Sequence, residues 1–149
     1  MIETKAEVPV TVAGGRASNF SISGKEISTC AFPLARRAAS PVAEDERDLA
    51  KVRVDPRLFE ALVAGYLRGA GTALLARERS ELVFASQLMT LLLGMRFLAD
   101  HLAGDRYFRI RRPGQNLDLA RTQLALLGDF ERQRDALEAI VAKTAAPLR

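Results

Sequence analysis

The stretch from Leu82 to Met95 restricts the fold more than any other part of this sequence. It holds only three polar residues, Ser86, Gln87 and Thr90. It is too long for an ordinary strand and reads as a helix that is apolar nearly all round, the kind expected at the centre of a domain with other helices wrapped about it. The polar interruptions, and Arg96 directly after them, leave it short of the roughly 18 to 20 apolar residues that a bilayer span requires. The expectation is therefore a buried central helix over residues 80 to 103, opened at Ser80 and ended by Gly104, in a cytoplasmic protein.

Two further helices are legible around it. Asp55-Pro56 is a start signal, because Asp can cap free backbone donors and Pro at the first helical position loses no hydrogen bond. Behind it, Leu58, Leu62 and Tyr66, with Phe59, Val63 and Leu67, form two rows four residues apart, the spacing of an amphipathic helix. Gly69 and Gly71 close this helix, predicted over 56 to 75. A long third helix is predicted over 116 to 144. Asn116 is its expected cap, Asp118 lies in its first turn, and its stripe is Leu117, Ala120, Leu124 and Leu127, then Leu137, Ile140 and Val141.

Residues 1–40 differ in character. They are rich in Ser, Thr, Gly and Ala and show no helical stripe, so a weakly ordered segment is expected there, ahead of a helical domain over 41–149. Val8, Val10 and Val12 alternate before Gly14-Gly15, and Phe20, Ile22 and Ile27 flank Ser23-Gly24-Lys25, a pattern compatible with a small hairpin. No apolar run of the secretory type is visible near Met1.

The chain has 149 residues, room for one core, and 48% of them are hydrophobic and 27% charged, which excludes a mostly disordered or fibrous protein. The 22 basic residues exceed the 18 acidic ones by four. That surplus is too small to argue for nucleic acid by itself. A single Cys, Cys30, excludes an internal disulfide, and with the single His, His101, it excludes a zinc site of Cys and His ligands alone. A reducing compartment fits best.

Few residues offer chemistry. Gly69-Ala70-Gly71 lacks both the third glycine and the preceding strand of a phosphate loop. Cys30 and His101 are the one available thiol and base, with no sequence proximity to join them. The loop containing Arg106, Tyr107, Phe108, Arg109, Arg111 and Arg112 mixes cations with rings, as an anion or nucleic-acid binder would. The plainer alternative has Tyr107 and Phe108 pinning the loop to the core while the arginines meet water or the acidic run Glu44 to Asp48. Arg96 is a charge in the most apolar segment, with Asp100 four residues on. The two read either as an in-helix ion pair or as the lining of a polar pocket for a hydroxylated or anionic ligand.

The segments AEDERDLAKV (43–52), LFEALVAGYL (58–67), LGMRFLADHLAGDRYFRIRRPGQNLDLARTQLALL (93–127) and ERQRDAL (131–137) resemble the C-terminal end of the aminoglycoside-phosphotransferase-like kinases, most closely their N-acetylhexosamine 1-kinase branch. The resemblance spans about Ala43 to Val141 and is most specific from Gly94 to Asp118. It implies an all-α, three-helix fragment of the C-terminal lobe of a two-lobed enzyme that transfers the γ-phosphate of ATP to a sugar hydroxyl with Mg²⁺. It places Arg96 in the sugar pocket, with Asp100 beside it.

The same resemblance identifies no catalytic residue and no metal ligand. His101 is followed by Leu102 and Ala103, so the His-x-Asp catalytic loop is absent. Ahead of the acidic run, residues Cys30 to Arg37 do not fit the family pattern. The chain alone, without ATP, Mg²⁺ or the lobe that binds them, is expected to be inactive. It reads as a truncated or split sugar kinase whose first 30 to 40 residues are foreign to the fold, as an out-of-frame start would produce, and whose partner is the missing kinase portion or a second copy. Sugar binding is expected to be weak. A helical protein-interaction module and an anion binder through Arg106 to Arg112 are the alternatives.

Overall fold

Helix capping and packing distances place five α-helices in the computed structural model, which describes Glu7–Val8, Phe20–Ser21 and residues 40–146. They are α1 (Pro56–Ala70), α2 (Ala76–Ser80), α3 (Leu82–Leu102), α4 (Gln115–Arg132) and α5 (Arg134–Ala145). Single 3₁₀ turns lie at Leu49–Lys51 and Gly71–Ala73. Two short strands, β1 (Glu7–Val8) and β2 (Phe20–Ser21), pair antiparallel with Val8 opposite Phe20. That register joins the two arms of the expected hairpin. The domain is all-α. The expected weak order of the rest of residues 1–40, and Cys30 with it, lies outside the described residues.

The first helix follows its sequence signals. Asp55 Oδ1 accepts from the Arg57 and Leu58 amides at 2.8 and 3.4 Å, Pro56 occupies the first turn, and Gly71 ends the helix at φ 54°. Only one of the two apolar rows is fully inside: Phe59, Val63 and Leu67 are buried, whereas in the other Leu58 is exposed and Leu62 and Tyr66 are half-buried. The helix stops at Ala70, short of the predicted residue 75, because glycine takes the positive φ that the reversal needs. The edge of Phe59 meets Phe130 of α4 at 6.1 Å between centroids, and Leu74, Leu82, Val83, Leu126, Leu137 and Val141 close the main core around them.

Four expectations are corrected. The long third helix is two, broken at Gln133. The Gln133 side-chain amide donates to the Val54 carbonyl at 3.0 Å and to Asp129 at 2.7 Å, while Asp129 accepts from the Val54 amide at 2.6 Å. This knot fastens the extended segment before α1 to the junction, and α5 turns away to bury Leu137 and Val141. Asn116 does not cap α4. Gly114, at φ 75°, holds the cap position and Asn116, the second residue of the helix, is fully buried. The expected stripe of α4 also shifts: Leu124 is exposed while Thr122, Gln123, Leu126 and Phe130 are buried.

The fourth correction concerns α3, which is not wrapped. Its inward face carries Ser86, Gln87, Thr90, Leu93, Gly94 and Phe97. Phe84, Leu88, Leu92, Met95 and Leu102 remain exposed. Small and self-satisfying groups allow α4 to approach that inward face. The Ser86 and Thr90 hydroxyls donate to the Leu82 and Ser86 carbonyls at 2.8 Å, and a Cβ on Gly94 would stand 3.1 Å from that of Gln123. Contrary to the expectation that its polar residues leave it too short, α3 is by length and composition alone long and apolar enough to cross a membrane, as buried helices of a protein core also are.

Candidate functional site

The C-terminal end of α3 organises the arginine-rich loop. The helix finishes at Leu102, and Gly104 and Asp105 both adopt positive φ, 87° and 56°, so the chain doubles back over Asp100. Asp100 is buried. Its Oδ1 accepts from the Arg106 and Tyr107 amides at 2.9 and 2.8 Å, and its Oδ2 accepts from the Phe108 amide at 2.8 Å and the Asn116 side chain at 2.9 Å. Asn116 also donates to Asp105 at 2.8 Å. Burial pushes the Asp100 carboxyl up, but the bonds from Phe108, Tyr107, Arg106 and Asn116 outweigh it and hold the group below its ordinary value. Four donors occupy the roughly four lone-pair positions of a carboxylate.

This clamp sets the aromatic residues. Phe108 packs on Phe97 at 4.7 Å between centroids, and Tyr107 meets Phe108 edge-on at 4.8 Å while its own side lies open to solvent. The Arg96 guanidinium sits 5.4 Å from the centroids of both Tyr107 and Phe108, in cation–π range. Arg96 and Asp100 therefore do not form the in-helix ion pair. They are joined through the loop, one holding its amides and the other capping its rings. His101 places Nδ1 3.7 Å from Asp105 Oδ1, too far for a hydrogen bond.

Beyond the rings the loop is tied to the acidic run. Arg112 donates to Asp118 at 2.6 Å and to Asp45 at 3.1 Å, Arg47 donates to Asp118 at 3.2 Å, and Gln115 donates to Asp45 at 3.3 Å. The Arg112 hydrogen bond, aided by Arg47, holds the Asp118 carboxyl below its ordinary value against burial, and the Arg112 guanidinium is raised in turn, first by its bond to Asp118. An open cleft of about 480 Å³ runs along this network between Leu49, Pro113 and Arg121, and neither Arg96 nor Asp100 lines it. Among the described residues no group of three or more His, Cys, Asp or Glu side chains is placed to hold a metal ion.

Sequence reasoning singled out Arg96, Asp100 and the Arg106 to Arg112 loop, and the structure brings them together. It missed Asn116 as the second half of the clamp and Asp129 with Gln133 as the knot. Asn116 carries the same letter as a cap residue, so its burial had no signature in spacing. The chain matches no known protein-family model.

Proposed function

We propose that this chain is the non-catalytic C-terminal portion of a phosphotransferase similar to ATP-dependent N-acetylhexosamine kinases, and that it supplies part of the wall of the sugar pocket. One observation carries the reading: four internal hydrogen bonds to Asp100 hold the loop so that Arg96, Tyr107 and Phe108 form one fixed edge. A guanidinium can donate to ring hydroxyls, and an exposed aromatic ring offers an apolar surface to a pyranose. Arg96 is the ligand-facing residue in this reading. Asp100 serves the pocket by positioning the loop.

The chemistry belongs elsewhere in such an enzyme. Phosphoryl transfer depends on positioning the nucleotide and stabilising charge on the γ-phosphate, through a lysine, metal-binding carboxylates and a base. The isolated chain is expected to bind N-acetylglucosamine no more tightly than about millimolar, roughly 4 kcal/mol, and to turn over no ATP. Mixing it with a separately made N-terminal portion of such a kinase tests the proposal. ATP-dependent phosphorylation of N-acetylglucosamine by the mixture, lost on Arg96→Ala, is the expected result. A mixture that stays inactive although the two parts bind each other, or turnover by this chain alone, would overturn it.

A second reading, a protein-interaction module, is favoured by the outward apolar face of α3. The anion-binding reading is weakened because Arg112 is already bonded to two carboxylates.

A further inference from the structure

We infer that the outward face of α3 binds the same face of a second copy of this chain, two antiparallel α3 helices packing across a two-fold axis. This inference does not rest on the sugar-kinase reading. Phe84 is 55% exposed, Met95 57% and Leu102 78%, with Leu88 and Leu92 also open and Leu124 of α4 beside them. Large apolar side chains left open on one side of a helix, rather than scattered singly, mark an interaction surface, and a standard interface draws about 800 Å² from each partner.

The spacing says what fits there. Phe84, Leu88, Leu91, Met95, Leu98 and Leu102 follow one another at intervals of four and three residues, a heptad seam of large apolar side chains in which four are exposed and Leu91 and Leu98 are half-buried, Leu98 against Leu93, Phe97 and Ala120. A two-fold axis level with residue 93 sets Phe84 against Leu102, Leu88 against Leu98 and Leu91 against Met95, so one register satisfies all six positions at once. Positions alongside the seam are Ala85, Leu92 and Ala99 on one edge and Gln87, Gly94 and His101 on the other. No acidic or basic side chain with a fixed charge opposes its own copy there. Of the cations near the seam, Arg96 is turned onto Tyr107 and Phe108, and Arg134 is held by the Gln87 side chain at 3.0 Å. A face that is self-complementary under a two-fold axis closes as a dimer and does not propagate.

Sedimentation equilibrium of the full chain tests this. The wild type is expected to run at twice its chain mass at concentrations on the order of 50 µM. Leu88→Glu and Met95→Lys, both at exposed sites, are each expected to run as monomers with unchanged far-ultraviolet circular dichroism.

A short bis-maleimide resolves the register in a Cys30→Ser background. Leu92→Cys, near the axis, is expected to cross-link to its copy. Phe84→Cys is not, because the two copies of that residue stand about 27 Å apart at a rise of 1.5 Å per residue. A monomeric wild type overturns the inference, whether the face is then covered by residues 1–39 or adsorbs to phosphatidylglycerol vesicles in a flotation assay. A dimer that survives both charge substitutions, or cross-links through Phe84→Cys, overturns it equally.

Discussion

Asp100 gives the arginine-rich loop its shape, because backbone amides from three successive residues converge on a single buried carboxylate. Replacing it by Ala removes the acceptor for all three. Amide exchange at Arg106 to Phe108 is expected to accelerate by at least about tenfold while amides in α1 are unaffected, since a local clamp governs local opening. Its pH dependence has a definite sign. The hydrogen bonds that outweigh burial leave Asp100 below its ordinary value of 3.8, and Asp118 is lowered likewise by Arg112 and Arg47. A carboxyl lowered by folding contributes stability that is complete above its unfolded value and is lost as pH falls through the folded one. Urea unfolding is therefore expected to show this contribution level above about pH 5 and falling below about pH 4, with a shallower fall in Asp100→Asn. The sequence exposed Asp100 only as the neighbour of Arg96 at helical spacing. Its real partners lie beyond a reversal made by two consecutive positive φ angles, Gly104 and Asp105, and helical periodicity carries no information about such a turn.

Between elements, the contacts that position the helices are as much polar and small as apolar. Gly94 lets α3 meet α4 with 3.1 Å between its hypothetical Cβ and that of Gln123. Gly94→Val is expected to destabilise the fold by about 1–3 kcal/mol through overpacking, measured by chemical denaturation, because the obstacle is the fixed stem of Gln123. Asp129 at the junction of α4 and α5 accepts from Val54, Arg132 and Gln133. Asp129→Ala strands the buried Val54 amide and is expected to cost about 2–3 kcal/mol. The first helix could be read in advance since Asp55, Pro56 and Gly71 are local signals acting on adjacent backbone. The break at Gln133 could not, because it depends on Val54, distant in sequence and outside any helix.

At the scale of the whole molecule, a helix that is apolar on every side has no periodic signal to say which side faces in, and this is why the exposed face of α3 was not legible while its existence was. The choice was made by Gly94, Ser86 and Thr90, whose small or self-bonded side chains admit α4. Charge is partitioned at this scale as well. Of the loop arginines, Arg112 is shared between Asp45 and Asp118, joining the acidic run to the start of α4, whereas Arg106, Arg109 and Arg111 are exposed and make no ion pair among the described residues. Three available cations displace few counterions. For single-stranded oligonucleotides the logarithm of the binding constant is expected to fall against that of salt with a slope no steeper than about −2. Making all three Ala is expected to flatten that slope nearly to zero, whereas Arg112→Ala lowers thermal stability and leaves the slope in place. A slope steeper than about −4 in a salt titration would require cations from beyond this loop, and nucleic-acid binding would then have to be assigned to a larger surface of the molecule.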